Sequence, residues 1–274
     1  MKKLFKFFGW LVLIVLLLGG AVFMLAWKSP KYYIVQDHNN NVYLPFKNYK
    51  ADHSKPYIIE QKNFVVFGAE HTRNPNDKQI RLIKDKWERL QPTVALIEGR
   101  LGFLLPMFMN PVKELGEGGM VKELASRDDI PVYNWDLSKE ELAKRMQEKF
   151  SREQIAVAQI LNPYFGNMRF GKPSNPESFI SPYVKRAANV GLESEIKTVD
   201  DVDRIWKKYF PSIDWRNVSD EYTLPGYLGE MMAFSNDLRN QQLIDAIKEL
   251  TAKGERVFVI CGSSHAVCVK PAFP

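Results

Sequence analysis

Cysteine is nearly missing from this chain: Cys261 and Cys268 are the only two. Two sulfurs are too few for a structural zinc site. Neither follows the apolar N-terminal run, so a lipid-modified cysteine is excluded. Spaced seven apart, with Cys261 inside an apolar strand-like run, they read as a core thiol and a separate neighbour rather than a pair. Charge is scarce at the start of the chain, where Lys2, Lys3 and Lys6 are the only charged residues before Lys28. Those three lysines supply half of the formal net charge of +6. The remainder is close to balance and holds no basic block, so nucleic acid is not an expected partner. There is no repeat of fixed period and no low-complexity tract, which argues against solenoids and linker-type chains. What is present, 45% hydrophobic and 26% charged residues, suits a globular fold.

From Phe7 to Trp27 the sequence carries no charge. About 21 residues in a helix cross roughly 30 Å, the thickness of a bilayer's hydrocarbon core. Trp10 and Trp27 stand near the two ends, where amphipathic rings favour the interface. Gly19-Gly20-Ala21 offers a small-residue cleavage site, yet the apolar run continues past it to Ala26, as an uncleaved anchor does. The expectation is an N-terminal membrane anchor or signal peptide over residues 1–27, meeting lipid through 4–27. Lys2, Lys3 and Lys6 hold the N-terminus inside, so residues 28–274 face the periplasm or exterior, secreted if the segment is cleaved.

Beyond the anchor, Asn63 to Phe67 and Thr93 to Ile97 are compact apolar runs that read as buried strands, with Pro131 to Asp136 a third and Arg256 to Cys261 a last one. Asn39-Asn40-Asn41 marks a turn. Between the first two strands, Asn74 as cap, Pro75 at the first helical position and Asp77 in the first turn predict a helix ended by Pro92. Ser138 predicts the cap of another helix, and a long one spans about Asp237 to Ala252 with Gly254 closing it. Residues 162–236 are rich in Pro, Gly and aromatics and read as a possible lid or insertion. This rhythm predicts a single extracytoplasmic α/β domain, a mixed, mainly parallel sheet with covering helices, preceded by one transmembrane helix.

Such sheets gather functional groups just beyond the carboxyl ends of their strands. Of four histidines, two follow a strand with one spelling: Gly68-Ala69-Glu70-His71 and Gly262-Ser263-Ser264-His265. The glycines are expected to let the chain turn sharply off the strand. A third strand ends at Glu98. Either histidine alone is an ordinary polar residue at a strand end, but the repeat with a carboxylate gives a set suited to a divalent cation of the Mn, Co or Zn class. It suits metal-free acid–base work equally. Ser263 and Ser264 read as loop hydrogen-bonders, since the surrounding sequence is no nucleophile elbow. Glu70 reads as a solvated loop acid or a supporting base. Arg100 and Arg239 are the cations best suited to an anionic substrate or transition state.

Gly68-x-x-His71, Glu98-Gly99-Arg100 after an apolar strand, Arg239-Asn240 opening a helix and Val257–Gly262-x-x-His265 together resemble the TIKI/TraB superfamily, from about Phe64 to His265. That superfamily includes relatives of ChaN-type haem-uptake proteins and erythromycin esterases. The resemblance implies an α/β domain with both histidine motifs facing one cavity. In the TIKI branch it also implies a membrane-tethered, metal-dependent peptidase acting outside the cell. By matching position, His71, Glu98 and His265 would be metal ligands or catalytic acids and bases, with Arg239 near the site, Asn240 beside it, and Arg100 a further candidate. Family members run on past the second motif with more helix and strand, where this sequence has Ala266 to Pro274. The expected function is a membrane-anchored metal-dependent hydrolase acting on a peptide or small molecule. The alternatives are a haem-binding or ligand-binding protein, and a non-catalytic envelope protein.

Overall fold

The computed structural model describes residues 26–105, 108–168, 171–220 and 224–274, together with 10, 13, 17, 19 and 20. The expected anchor lies almost wholly outside them. Among the described residues no helix is long and apolar enough to cross a membrane.

Six strands form one sheet: β1 (Lys31–Tyr32), β2 (Tyr57–Gln61), β3 (Phe64–Ala69), β4 (Val94–Ile97), β5 (Val132–Asn134) and β6 (Val257–Gly262). Their order is β1-β5-β4-β6-β3-β2. Every pairing is parallel except the β2–β3 edge, so the expected mixed, mainly parallel sheet is what forms. The α-helices are α1 (Lys78–Leu90), α2 (Pro111–Arg127), α3 (Lys139–Met146), α4 (Arg152–Asn167), α5 (Pro176–Ile180), α6 (Val199–Tyr209), α7 (Tyr227–Ala252) and α8 (Ser263–Val269).

The apolar strand runs are continuous because both faces of the sheet are covered. Val65, Phe67, Ala95, Ile97, Phe258 and Ile260 pack under α1 and α2, with Ile83, Trp87, Val121 and Leu124. The alternate residues Val66, Leu96, Val257 and Val259 pack under the second half of α7 and under α8, with Leu243, Ile244, Ile247 and Ala266. Chain direction explains the split. From β3 through β4 to β5 the chain moves one way across the sheet, and α1 and α2 share a face. The return to β6 reverses direction, and right-handed crossovers then require the opposite face.

Two compact units result, one of residues 1–44, 49–136 and 241–274, the other of 45–48 and 137–240. The segment 162–236 falls inside the second, which is helical. Its aromatics build that unit's own core, with Trp215 edge-on to Tyr164 at 5.0 Å and Phe210 at 4.4 Å from Trp206. Arg216 ties the surface of this unit together through Glu177, Asp203 and Asp214.

Local chemistry corrects two boundaries. Helix α1 starts at Lys78, with Asp77 as its cap accepting from the Gln79 N–H at 2.9 Å. Asn74 instead folds back on the Asn76 N–H at 3.0 Å, a local turn that competes with helix and leaves Pro75 outside it. Helix α7 begins at Tyr227 rather than near Asp237 because Leu228 and Met231 belong to the core of the helical unit. Its end is as expected: Gly254 takes φ 84° and Glu255 N–H reaches back to Leu250 C=O at 3.1 Å, a Schellman closure. Ser138 caps α3 as read, accepting from Glu141 N–H.

Candidate functional site

Register aligns the three strand ends that matter. Gly68 lies opposite Cys261 and Ala69 opposite Gly262 across β3–β6, and Ile97 lies opposite Ile260 across β4–β6. His71, Glu98 and His265 therefore leave the same edge of the sheet from three adjacent strands. They converge at Gly262. A β-carbon placed there would stand 3.7 Å from Glu98 Oε2, 3.9 Å from His71 Nε2 and 4.0 Å from His265 Cδ2. Gly262 thus leaves open the space that all three side chains border.

Each member is held differently. Glu98 Oε2 accepts from the Gly262 N–H at 2.8 Å, while its Oε1 stands 3.7 Å from His265 Nε2. The turn after Glu98 needs Gly99, whose φ of 69° strains other residues. His265 sits in the first turn of α8 with a side chain only 5% exposed. The Trp135 ring meets it edge-on at 5.4 Å, and Trp135 Nε1 in turn donates to Ile260 C=O. His71 is open to solvent at 83%, its Nδ1 3.8 Å from Glu117 Oε2. The loop that carries His71 is braced by the buried Gln79 amide, which accepts from Glu70 N–H at 2.8 Å and donates to Glu70 C=O at 2.9 Å.

The glycines of the two motifs do not act as expected. Neither has a positive φ. Gly68 is required by proximity: a β-carbon there would stand 2.5 Å from Ala266 Cβ and 2.8 Å from the Tyr57 carbonyl oxygen. Its bare backbone lets α8 settle onto β3.

Glu70 is on the surface, 3.8 Å from Lys55 Nζ. Arg100 is exposed. Arg239 belongs to the helical unit, where its Nη1 donates to Asn236 Oδ1 at 3.1 Å, and Asn240 beside it is fully buried. His38 stands 3.4 Å from Asp245, and His53 Nε2 is 2.8 Å from the Tyr49 hydroxyl. Burial raises the pKa of that Tyr49 phenol. Cys261 and Cys268 are both buried thiols.

Glu117 was missed. The sequence reading assigns nothing between Arg100 and Pro131, where α2 forms with a break at Gly116 (φ 61°). That break lets the backbone pass the Thr72 carbonyl, 3.1 Å from where a β-carbon of Gly116 would stand, and Glu117 accepts from the Thr72 N–H. The available signal was Gly116-Glu117-Gly118-Gly119. Three glycines inside a helix cost about 1 kcal/mol each relative to alanine and mark a close approach.

Two imidazoles, an anchored carboxylate and a further carboxylate behind one imidazole are donors suited to a divalent transition cation. Among the described residues, no three His, Cys, Asp or Glu side chains already stand at chelating separations. The arrangement is one of donors converging on a gap. No protein-family model, no curated protein and no solved structure matches this chain.

Proposed function

We propose that the protein is a membrane-anchored, extracytoplasmic metal-dependent hydrolase of peptides or small esters, related to the TIKI/TraB superfamily. The observation that carries the reading is the meeting of His71, Glu98 and His265 around the space left by Gly262. The charge-free run from Phe7 to Trp27 supports the anchor. A bound Zn, Mn or Co ion would supply a water acidic enough to lose its proton near neutral pH.

The chain's own groups do the rest. Glu98, fixed by the Gly262 N–H, keeps its second oxygen towards His265 and can take up a proton at Oε1. Glu117 faces Nδ1 of His71 and so favours the tautomer that leaves Nε2 as a lone-pair donor. Trp135 walls off the far side of His265 from water. The open side at His71 is where substrate enters.

The test is titration of the full chain with Zn²⁺, Mn²⁺ and Co²⁺, together with cleavage assays on peptide and ester panels. Binding of one equivalent and metal-stimulated cleavage are expected, both lost in His71→Ala and in His265→Ala. A wild-type protein that takes up no metal and cleaves nothing would overturn the reading. A Soret band on adding haemin, absent from the same two variants, would replace it with haem binding.

A further inference from the structure

The helical unit contains a cavity of its own, of about 270 Å³, and its lining is unlike the site above. Apolar walls come from Leu142, Leu228 and three methionines, Met146, Met231 and Met232. Lys139, Arg186 and Arg239 also line it, and no Asp or Glu does so among the described residues. Methionine side chains adapt to varied apolar shapes, so such walls accept a tail without specifying it closely.

Arg186 decides what the other end must be. It is half-buried, and burial lowers its pKa. Its guanidinium lies over the Tyr183 ring at 4.5 Å, and Nη1 donates to the Gln159 carbonyl at 2.6 Å. Among the described residues no carboxylate pairs with it. A guanidinium carries five donors in a planar fork, and these contacts occupy few of them. Desolvating a cation without a counter-ion is costly, and an anion delivered to the fork removes that cost.

We propose that this cavity binds a small amphiphilic carboxylate, its headgroup on Arg186 and its aliphatic or aromatic tail among the methionines. A water occupies about 30 Å³ in the liquid, so the volume holds on the order of ten non-hydrogen atoms. The site needs neither the metal nor the histidines, so it stands whether or not the hydrolase reading does.

Three probes of one shape test it: 3-phenylpropionate, 3-phenylpropan-1-ol and 3-phenylpropylamine. Their binding to the full chain in nanodiscs is read by ligand-detected NMR, with empty nanodiscs as the blank. The acid should bind at least ten-fold more tightly than the alcohol, the amount expected of one charge-assisted hydrogen bond, and the amine should not bind. Arg186→Gln should remove the acid's advantage and leave the alcohol's affinity unchanged. Should that variant not fold, Arg186→Lys keeps the charge without the fork and should weaken the acid alone. An acid that binds no better than its alcohol, or an advantage that survives Arg186→Gln, overturns the proposal.

Discussion

The two Gly-x-x-His stretches share a spelling and a starting point, the end of a buried parallel strand, and then part company. After β3 the chain runs into a loop, and His71 is left 83% exposed opposite Glu117. After β6 it enters α8 at once, and His265 is sealed against Trp135 and Glu98. Only the second motif runs directly into a helix, whose side chains Ala266 and Val269 bury into the sheet. The spelling therefore settles where the imidazole leaves the sheet, and the following residues settle its surroundings. Similar chemical duty with different structural duty is the comparison to test.

The largest effect separates activity from stability. His71→Ala and His265→Ala should each lower kcat/KM by about a thousand-fold, in the range of a lost acid–base or ligand group. Only His265→Ala should also lower folding stability, by about 2 kcal/mol, because it empties a buried position and strips Glu98 of its neighbour. The exposed His71 should stay within about 0.5 kcal/mol of wild type. Urea unfolding beside steady-state kinetics reads both. Equal destabilisation by the two, or activity retained in either, breaks the comparison.

The glycines invert the pattern. Gly68→Ala forces a β-carbon to 2.5–2.9 Å from Ala266, the Tyr57 carbonyl and Ser263, two of them backbone contacts that cannot yield cheaply. A loss of about 3 kcal/mol is expected. Gly262→Ala meets only ordinary contacts of 3.7–4.0 Å, so the fold should be nearly indifferent while the new methyl group enters the space between the three candidate side chains. Metal affinity and turnover should fall with Tm unchanged. Melting curves for the pair decide the point, and a stable Gly68→Ala would refute the close-packing account of that glycine.

Much of this was legible in advance because the relevant signals are local. Continuous apolar runs flanked by polar residues gave β3, β4 and β6, and the strand-end rule then pointed to His71, Glu98 and His265. The signals that failed depend on a choice between competing local bonds or on distant partners. Asn74 and Asp77 are both good caps, and only the Asn74 turn onto Asn76 excludes the first. The first half of α7 mixes Gly and Met with aromatics, and its helicity comes from burial of Leu228 and Met231, which pattern alone does not reveal. Glu117 was hidden for a related reason. Its place behind His71 follows from a backbone break at Gly116 and a contact with Thr72, 45 residues away.

That carboxylate supplies the next sharpening. Glu117→Gln keeps an oxygen for the Thr72 N–H and loses the negative charge opposite His71 Nδ1. Metal affinity should fall ten- to a hundred-fold, the usual result of neutralising the group behind a ligating histidine. Stability should hardly move. Calorimetric titration of the variant checks this, and an unchanged affinity would leave Glu117 as a loop clamp only.

The smallest effect concerns the brace that the second motif does not need. Gln79 satisfies both backbone groups of Glu70, one residue before His71, whereas the corresponding stretch of the second motif is already helical. Gln79→Leu removes both hydrogen bonds, and any part of the Glu70 backbone still shielded is left unmatched, at about 1 kcal/mol. The loop should then sample positions in which His71 points away from Gly262. A few-fold drop in kcat/KM is expected, with faster hydrogen exchange at the Glu70 amide and no change at the amides of α8. Exchange that rises equally at both motifs would mean that the two histidines are held by one shared element, and that the loop and the helix are not independent supports.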